Sequence, residues 1–170
     1  MGDGDMREGI TSEAASLAGH LGLGNLIFIY DDNRTTIDGG TELSFGEDVS
    51  ARFEAQGWHV QGPIDGQAVA ELGDGREAAR GVADRPSLIL LRTVIGRGSP
   101  GVAGKNKAHG AALGAEETGR TKQAMGWPQE PAFHVPDDVR DYFNRRIAEK
   151  QAARSEAEAG HQAWREANPE

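Results

Sequence analysis

Three short segments with the residue pattern of β-strands stand out along the chain. They occupy residues 26–30, 58–61 and 87–91. The first of them shows no alternation with polar positions, which is typical of a parallel strand covered on both faces. The pattern therefore predicts three strands in a buried sheet.

Helical spacing of apolar residues fills the chain between and after these strands. Thr11 or Ser12 is placed to cap the first helix, and glycines at 22 and 24 are placed to end it. One face of that helix carries Ala14, Leu17, Ala18 and Leu21. Further helices are predicted at residues 46–56, 67–82, 115–125 and 137–167. Alternating strands and helices favour an α/β fold, a three-layer doubly wound parallel sheet.

A second glycine-rich triplet interrupts the helix predicted at residues 67–82. Gly73-Asp74-Gly75 repeats the composition of a triplet near the amino terminus. No strand precedes it and no strand-end asparagine follows it. We expect a turn or a loosened stretch of helix here, without a metal site.

The last predicted helix changes character along its length. Val139, Phe143 and Ile147 form a short apolar stripe at helical spacing. Beyond the stripe, alanines and mixed charges predict a solvated arm or linker. The sequence thus predicts one domain over residues 1–135 and a C-terminal helical arm over residues 136–170.

Composition and net charge argue against several classes of binding partner and of protein. The chain has 170 residues, a net charge of −9 and no cysteine. The negative charge argues against nucleic acid and anionic membrane surfaces as partners. Lack of cysteine excludes a disulfide scaffold and fits a cytoplasmic location. No apolar stretch approaches a membrane span, and the start shows no signal-peptide pattern.

Two polar positions near the predicted first strand suggest metal chemistry. Asp3 lies between Gly2 and Gly4, and Asn33 follows the strand at residues 26–30. Mg²⁺ prefers about six oxygen ligands and is often held by one or two side chains together with phosphate oxygens. The Asp3 carboxylate, the Asn33 amide and the Thr35 carbonyl offer such oxygens.

The flanking glycines also suit a phosphate group. They leave the backbone bare, so a diphosphate can approach peptide N–H groups closely. The helix that follows adds a partial positive charge at its start. A turn aspartate followed by an ordinary surface loop would, however, give the same spacing, and the residues alone leave both readings open.

The order of several motifs resembles the transketolase family. The resemblance covers nearly the whole chain, which makes it more specific than the glycine–aspartate–glycine triplet and the asparagine alone. It rests on Gly2-Asp3-Gly4-Asp5-Met6-Arg7-Glu8-Gly9, on residues 12–21, on Asp31-Asp32-Asn33, on Ile37-Asp38-Gly39, on Arg92-Thr93-Val94-Ile95-Gly96 and on residues 109–117. It implies part of the family's thiamine-diphosphate-binding fold, truncated at its N-terminal side.

The resemblance also assigns roles to individual residues. It implies that Asp3, Asn33 and the Thr35 carbonyl bind Mg²⁺ or Ca²⁺, and that Gly4 and Asn33 contact thiamine diphosphate. It places Ile37 and Ile95 at apolar positions around the cofactor, where simple core packing is the alternative.

Four further positions in the family pattern concern the substrate and the subunit interface. His109 matches a catalytic-site histidine near the diphosphate and the donor substrate; a lone histidine in such a loop is more often solvated, but the surrounding motif favours the functional role. Glu8 and Glu13 correspond to acidic residues at the family's subunit interface; a pair complementing the helix dipole would look the same. Asn106 departs from the family, which commonly has a histidine there, and this weakens inferences about substrate handling by its loop.

The family pattern also includes parts that this chain does not contain. An apolar strand and more than a hundred residues normally precede the triplet, so we expect an exposed sheet edge and self-association as a homodimer or higher oligomer. The carboxylate that activates the cofactor comes from another domain, and several substrate histidines come from the upstream half. A separate chain that supplies the missing domains is a further possible partner.

Three hypotheses for function follow. The first is a transketolase-type protein, as a fragment or reduced form, that transfers a two-carbon ketol unit between sugar phosphates. The second is a non-catalytic module that binds Mg²⁺ and thiamine diphosphate, and the third is a self-associating remnant without turnover. We expect weak or no activity from the chain alone.

Overall fold

The computed structural model describes residues 1–169 of the chain. The chain divides into two compact units, one over Met1–Trp127 and one that begins at Pro128. The first unit contains the sheet and the candidate site. The sequence predicts that the functional domain ends at residue 135, and this boundary remains a prediction.

A parallel three-stranded sheet forms the centre of the first unit. Its strands are β1 (Ile27–Asp32), β2 (His59–Asp65) and β3 (Ser87–Arg92), in the order β1-β3-β2. Residue Ser87 of β3 is in register with Ile27 on one side and His59 on the other. Because β3 has a neighbour on both sides, its residues are the most apolar and the most buried, with Leu88 and Ile89 fully enclosed.

Helices cover both faces of the sheet. These helices are α1 (Gly9–His20), α2 (Val49–Ala55) and α3 (Val69–Arg80). A fourth helix of the first unit, α4 (Gly114–Ala124), has no buried residue. One face carries a core that includes Ala15 and Ala18 of α1, Phe53 of α2 and Trp58. The opposite face carries a smaller core around Ala79 of α3. The three-layer α/β fold predicted from the sequence is confirmed.

Helix α3 corrects one expectation. It is continuous across Gly73-Asp74-Gly75, where a turn or loosened helix was expected. Gly75 is buried, and a Cβ built on it would lie 3.0 Å from Ile64 Cδ1 of β2. The Gly75 carbonyl also accepts a hydrogen bond of 3.1 Å from Gln61 Nε2. The glycine therefore permits close helix–sheet packing instead of breaking the helix.

The start of α1 corrects a second expectation. The N-cap residue is Glu8, and no side chain caps the helix; neither Thr11 nor Ser12 does so. Thr11 instead donates its hydroxyl to the Asp5 carbonyl, at 2.6 Å. The helix begins earlier than expected because the chain is already turning before it.

That turn is positioned by pairing with strand β1. The Met1 amino group donates to the Ile29 carbonyl at 2.9 Å, and the Asp31 N–H donates to the Met1 carbonyl at 2.8 Å. Gly2 forms a parallel bridge with Asp31. These contacts fix Asp3 immediately beside the carboxyl end of β1.

The second unit contains one long helix, α5 (Asp137–Ala167), with the bounds expected from the sequence. Every residue of α5 is exposed, including the apolar stripe of Val139, Phe143 and Ile147. Ion pairs within the helix join Arg146 to Glu149 and Arg154 to Glu158. Among residues 1–169, no helix combines the length and apolar character that crossing a bilayer requires.

Candidate diphosphate and metal site

Asp3 lies at the centre of the candidate site, in a tight turn. The Gly2 N–H donates to the Asp5 carboxylate at 2.7 Å, and the Arg7 N–H donates to the Gly4 carbonyl at 3.0 Å. A Cβ built on Gly2 or Gly4 would meet no atom within 4 Å. Protein packing therefore does not require these glycines, and the bare backbone on either side of Asp3 is open to a ligand.

The Asp3 carboxylate is buried, with only 2% of the residue exposed. It accepts hydrogen bonds from the Tyr30 hydroxyl at 2.7 Å and from the Asn33 N–H at 3.2 Å. Burial, together with the Asp3 carboxylate, raises the pKa of Tyr30 far above its usual value, so this hydroxyl stays protonated and donates. No Lys or Arg in the described part of the chain forms an ion pair with Asp3.

A sharp bend after β1 arranges the other two candidate ligands. Arg34 adopts a left-handed conformation with φ of 58°. This bend lets the Asn33 side-chain oxygen accept the Thr35 N–H at 3.0 Å, while the Thr35 hydroxyl donates to the Asn33 carbonyl at 3.2 Å. Thr35 is buried, and its carbonyl oxygen accepts no hydrogen bond within residues 1–169.

We expect Arg34→Gly to stabilise the fold by about 0.5–1 kcal/mol. A left-handed conformation costs a non-glycine residue roughly 1–2 kcal/mol, which exceeds the extra backbone entropy that glycine loses on folding. Urea denaturation of wild type, Arg34→Gly and Arg34→Ala measures the difference. The alanine variant is the control, because it removes the guanidinium but keeps the strain. An Arg34→Gly midpoint below that of Arg34→Ala would contradict this explanation of the bend.

A cavity of about 510 Å³ lies in front of these groups. His109 reaches it from the loop at residues 93–113 (the His109 loop), which joins β3 to α4. The Asn106 side chain of the same loop donates to the Ile37 carbonyl at 3.3 Å. The lining consists of Gly2, Asp3, Gly4, Asp5, Glu8, Asn33, Thr35, Thr36, Ile37, Asp38 and His109.

The structure thus brings together most of the site residues singled out in the sequence. Asp3, Gly4, Asn33, Thr35, Ile37 and His109 all line this one cavity. Ile95 is outside its lining, and its carbonyl accepts the Gly104 N–H at 2.8 Å within the His109 loop. A cofactor contact by Ile95 therefore remains a prediction.

Sequence reasoning missed several residues around Asp3. The sequence pattern indicates only a strand position for Tyr30, although its hydroxyl donates directly to the Asp3 carboxylate. Asp32 and Arg92 form a two-pronged ion pair at the ends of β1 and β3, with distances of 2.7 and 3.0 Å. Burial raises the pKa of Asp32, an effect that Arg92 opposes. The sequence does contain a signal for this pair, since both are polar residues at the ends of predicted parallel strands. Such strand ends meet at one edge of the sheet.

The donor set fits Mg²⁺ together with a diphosphate. A buried carboxylate without a cationic partner is costly, and a bound cation would remove that cost. No group of three or more histidine, aspartate or glutamate side chains suited to a metal occurs among residues 1–169. One carboxylate, one amide and one carbonyl leave coordination positions for phosphate oxygens, as Mg²⁺ sites commonly do.

Comparisons with known proteins agree with this geometry. The sequence model of the family described as "Transketolase, thiamine diphosphate binding domain" matches residues 1–170. Transketolase 10 of Craterostigma plantagineum is 51% identical over 150 residues, which cover 88% of this chain and 22% of that protein. Transketolase of Geobacillus stearothermophilus is 45% identical over 171 residues, which cover 99% of this chain and 25% of that protein.

Solved structures give the same result for the fold. A transketolase variant from Pichia stipitis in complex with fructose-6-phosphate superposes with a TM-score of 0.89 at 39% identity, over 99% of this chain and 25% of that one. Transketolase from Leishmania mexicana gives 0.88 at 37% identity, again over 99% and 25%. This chain therefore spans roughly a quarter of the length of the relatives it matches. The family match, the identities and the shared fold together establish that the chain belongs to the transketolase thiamine-diphosphate-binding-domain family.

Proposed function

We propose that this chain supplies the diphosphate- and metal-binding part of a transketolase-type activity, the transfer of a two-carbon ketol unit between sugar phosphates. The observation that carries the proposal is the convergence of Asp3, Asn33 and Thr35 on one cavity that His109 also reaches. The solved relative that contains fructose-6-phosphate supports sugar phosphates as the substrate class.

Different residues of the chain would bind the metal ion, the cofactor diphosphate and the substrate. Asp3, Asn33 and the Thr35 carbonyl would hold Mg²⁺, or Ca²⁺, against the diphosphate of thiamine diphosphate. Gly4 would present bare backbone to the same group, and His109 would donate a hydrogen bond near the diphosphate and the donor substrate. When bound, thiamine diphosphate supplies the nucleophilic carbon that takes up the ketol unit.

Ile37 and Ile95 are proposed as apolar contacts of the cofactor. Ile37 is 72% exposed and lies on the cavity lining, so a ligand is available to cover it. Ile95 is half-buried outside that lining, so only the family resemblance supports its contact. The Ile37 assignment therefore has the stronger support of the two.

We expect thiamine diphosphate with Mg²⁺ to stabilise the folded chain. A ligand at a hundredfold excess over its Kd, bound only by the folded state, contributes about 2.7 kcal/mol to the free energy of unfolding. Thermal unfolding with metal alone, cofactor alone and both together measures this effect. An unchanged midpoint under all three conditions would contradict the proposed binding.

A non-catalytic binding module is the second candidate function. The chain's span of about a quarter of its relatives favours this alternative, because most of the length of those proteins has no counterpart in it. Turnover of a ketose donor by the purified chain, lost on Asp3→Asn, would select the catalytic candidate. Cofactor-dependent stabilisation without turnover would select the binding module.

Self-association is proposed from the outer edge of β1, where Met1 and Gly2 pair only with residues 29–31. The start of the strand has no strand partner on that side among residues 1–169, and Phe28 and Ile29 are 38% and 40% exposed. A homodimer or higher oligomer, or a separate chain supplying further domains, would cover that edge. Sedimentation at high concentration would contradict self-association by giving the single-chain mass of 18.1 kDa. A cytoplasmic location stays a prediction, since relatives include a chloroplast transketolase.

A further inference from the structure

The His109 loop is fastened to helix α4 by one carboxylate. Glu117, in the first turns of α4, accepts the Gly101 N–H at 2.6 Å and the Ser99 hydroxyl. Its other oxygen is 3.2 Å from Arg120. Ser99 is buried, and its oxygen in turn accepts the Val102 N–H at 3.3 Å. The carboxylate therefore closes residues 99–117 into a loop tied at its base.

The absence of a side chain at Gly101 leaves room for this contact. A Cβ built on Gly101 would lie 2.9 Å from both carboxylate oxygens of Glu117. Such a separation is shorter than real Cβ contacts, so any other residue at 101 would push the carboxylate away. The hydrogen bonds also hold the pKa of Glu117 below its usual range, with the Ser99 contact contributing most. The glycine thus leaves room for the Glu117 carboxylate, and the two donors favour its ionised form.

The far side of the tied loop carries Asn106 and His109, of which His109 lines the cavity. The Asn106 side chain holds the Ile37 carbonyl, and the His109 N–H donates to the Asn106 carbonyl at 2.9 Å. Gly96, with φ of 63°, lets Ala108 approach, since a Cβ at 96 would be 2.8 Å from Ala108 Cβ. Glu117 itself is outside the lining of the cavity, so it acts only through the loop.

We propose that Glu117 is a positioning residue. Its hydrogen bonds from Ser99 and Gly101 (the latch) hold the His109 loop against α4 and so place His109 at the cofactor cavity. The predicted effect of the latch on cofactor binding rests on the proposed function. The latch itself is a property of the chain without any ligand. Asn106 completes the latch at the cavity end by tying the loop to the Ile37 carbonyl.

The test compares Glu117→Ala with Glu116→Ala. The two glutamates are adjacent in α4, and Glu116 is exposed, so both variants remove one charge from the same helix turn. In Glu117→Ala, amide hydrogen exchange at Gly101 and Val102 should be about tenfold faster or more, because a hydrogen bond to a charged acceptor is lost. The NMR resonances of the His109 ring should shift in this variant and stay in place in Glu116→Ala.

Cofactor binding provides the second readout. With Mg²⁺ present, the Kd for thiamine diphosphate should rise roughly tenfold in Glu117→Ala, the scale of one charged hydrogen bond, and stay unchanged in Glu116→Ala. If the wild-type chain binds no cofactor, the proposed function fails, while the exchange and NMR measurements still decide the latch. If the wild type binds and neither His109 nor the Kd responds to Glu117→Ala, the latch proposal is overturned.

A double-mutant cycle separates the latch from a general loss of stability. Gly101→Ala should accelerate exchange at Val102 in the wild-type background, because its Cβ displaces the carboxylate. In the Glu117→Ala background the same change should add little, since the group it displaces is gone. If Glu117→Ala does not fold, Ser99→Ala takes its place in the test, because it removes only one of the two hydrogen bonds to the carboxylate. Additive effects of the 101 and 117 substitutions would contradict the proposal.

Discussion

Replacing Asp3 with asparagine should weaken binding of thiamine diphosphate in the presence of Mg²⁺ by about a hundredfold or more, equivalent to roughly 2.7 kcal/mol. Asp3 is the one buried carboxylate on the cavity, and it has no cationic partner among the described residues. The amide keeps the shape of the side chain but removes the charge that a divalent ion requires. Calorimetric titration of each variant with the cofactor, at fixed Mg²⁺, measures the loss.

Asp38→Asn is the matched control for this experiment. Asp38 also lines the cavity but is exposed to solvent, so the same change of charge occurs outside the proposed ligand set. Its Kd should stay within about threefold of wild type, since exposed charges contribute little at ordinary ionic strength. Equal losses in the two variants would indicate a general effect of cavity charge and would contradict a direct bond from Asp3 to the metal.

Gly19→Ala should destabilise the first unit by about 3 kcal/mol, near the upper end of overpacking effects. Gly19 lies on α1, and a Cβ built on it would be only 1.8 Å from the Gln56 carbonyl oxygen at the end of α2. Backbone cannot yield as a flexible side chain does, so α1 must move away from the core. Because α1 follows directly on the Asp3 turn, cofactor affinity should fall as well.

The control for this substitution is Gly9→Ala in the same helix. A Cβ on Gly9 would meet nothing within 4 Å, so the change should be neutral or stabilising by up to about 1 kcal/mol. Chemical denaturation followed by circular dichroism compares the two variants. A Gly19→Ala protein as stable as Gly9→Ala would show that the close contact between α1 and Gln56 does not exist in solution.

The layered fold was predictable because its signals are local. The three strands and the long helix α5 follow from the local pattern of apolar residues, which depends only on near neighbours in sequence. The role of Gly75 was not recognisable in this way. It depends on Ile64, which is on another element and comes close only after folding. A glycine that permits packing and a glycine that breaks a helix look alike in a sequence.

The candidate site was partly predictable for a similar reason. Asp3 and Asn33 were found from their residue types at the ends of elements and from the order of family motifs. Tyr30, which supports Asp3 at 2.7 Å, was hidden because an aromatic residue in a strand is usually explained by packing. The left-handed Arg34 gives no sequence signal, since most residues with that conformation are glycine or asparagine.

The central claim is that Asp3 and Asn33 bind one divalent ion that also contacts the cofactor diphosphate. Pulsed electron paramagnetic resonance of the chain with Mn²⁺ in place of Mg²⁺ and with thiamine diphosphate tests it most directly. We expect phosphorus hyperfine coupling to the bound Mn²⁺ in the wild type and its loss in Asp3→Asn. Cofactor binding that needs no metal, or a phosphorus coupling that persists unchanged in Asp3→Asn, would contradict the claim.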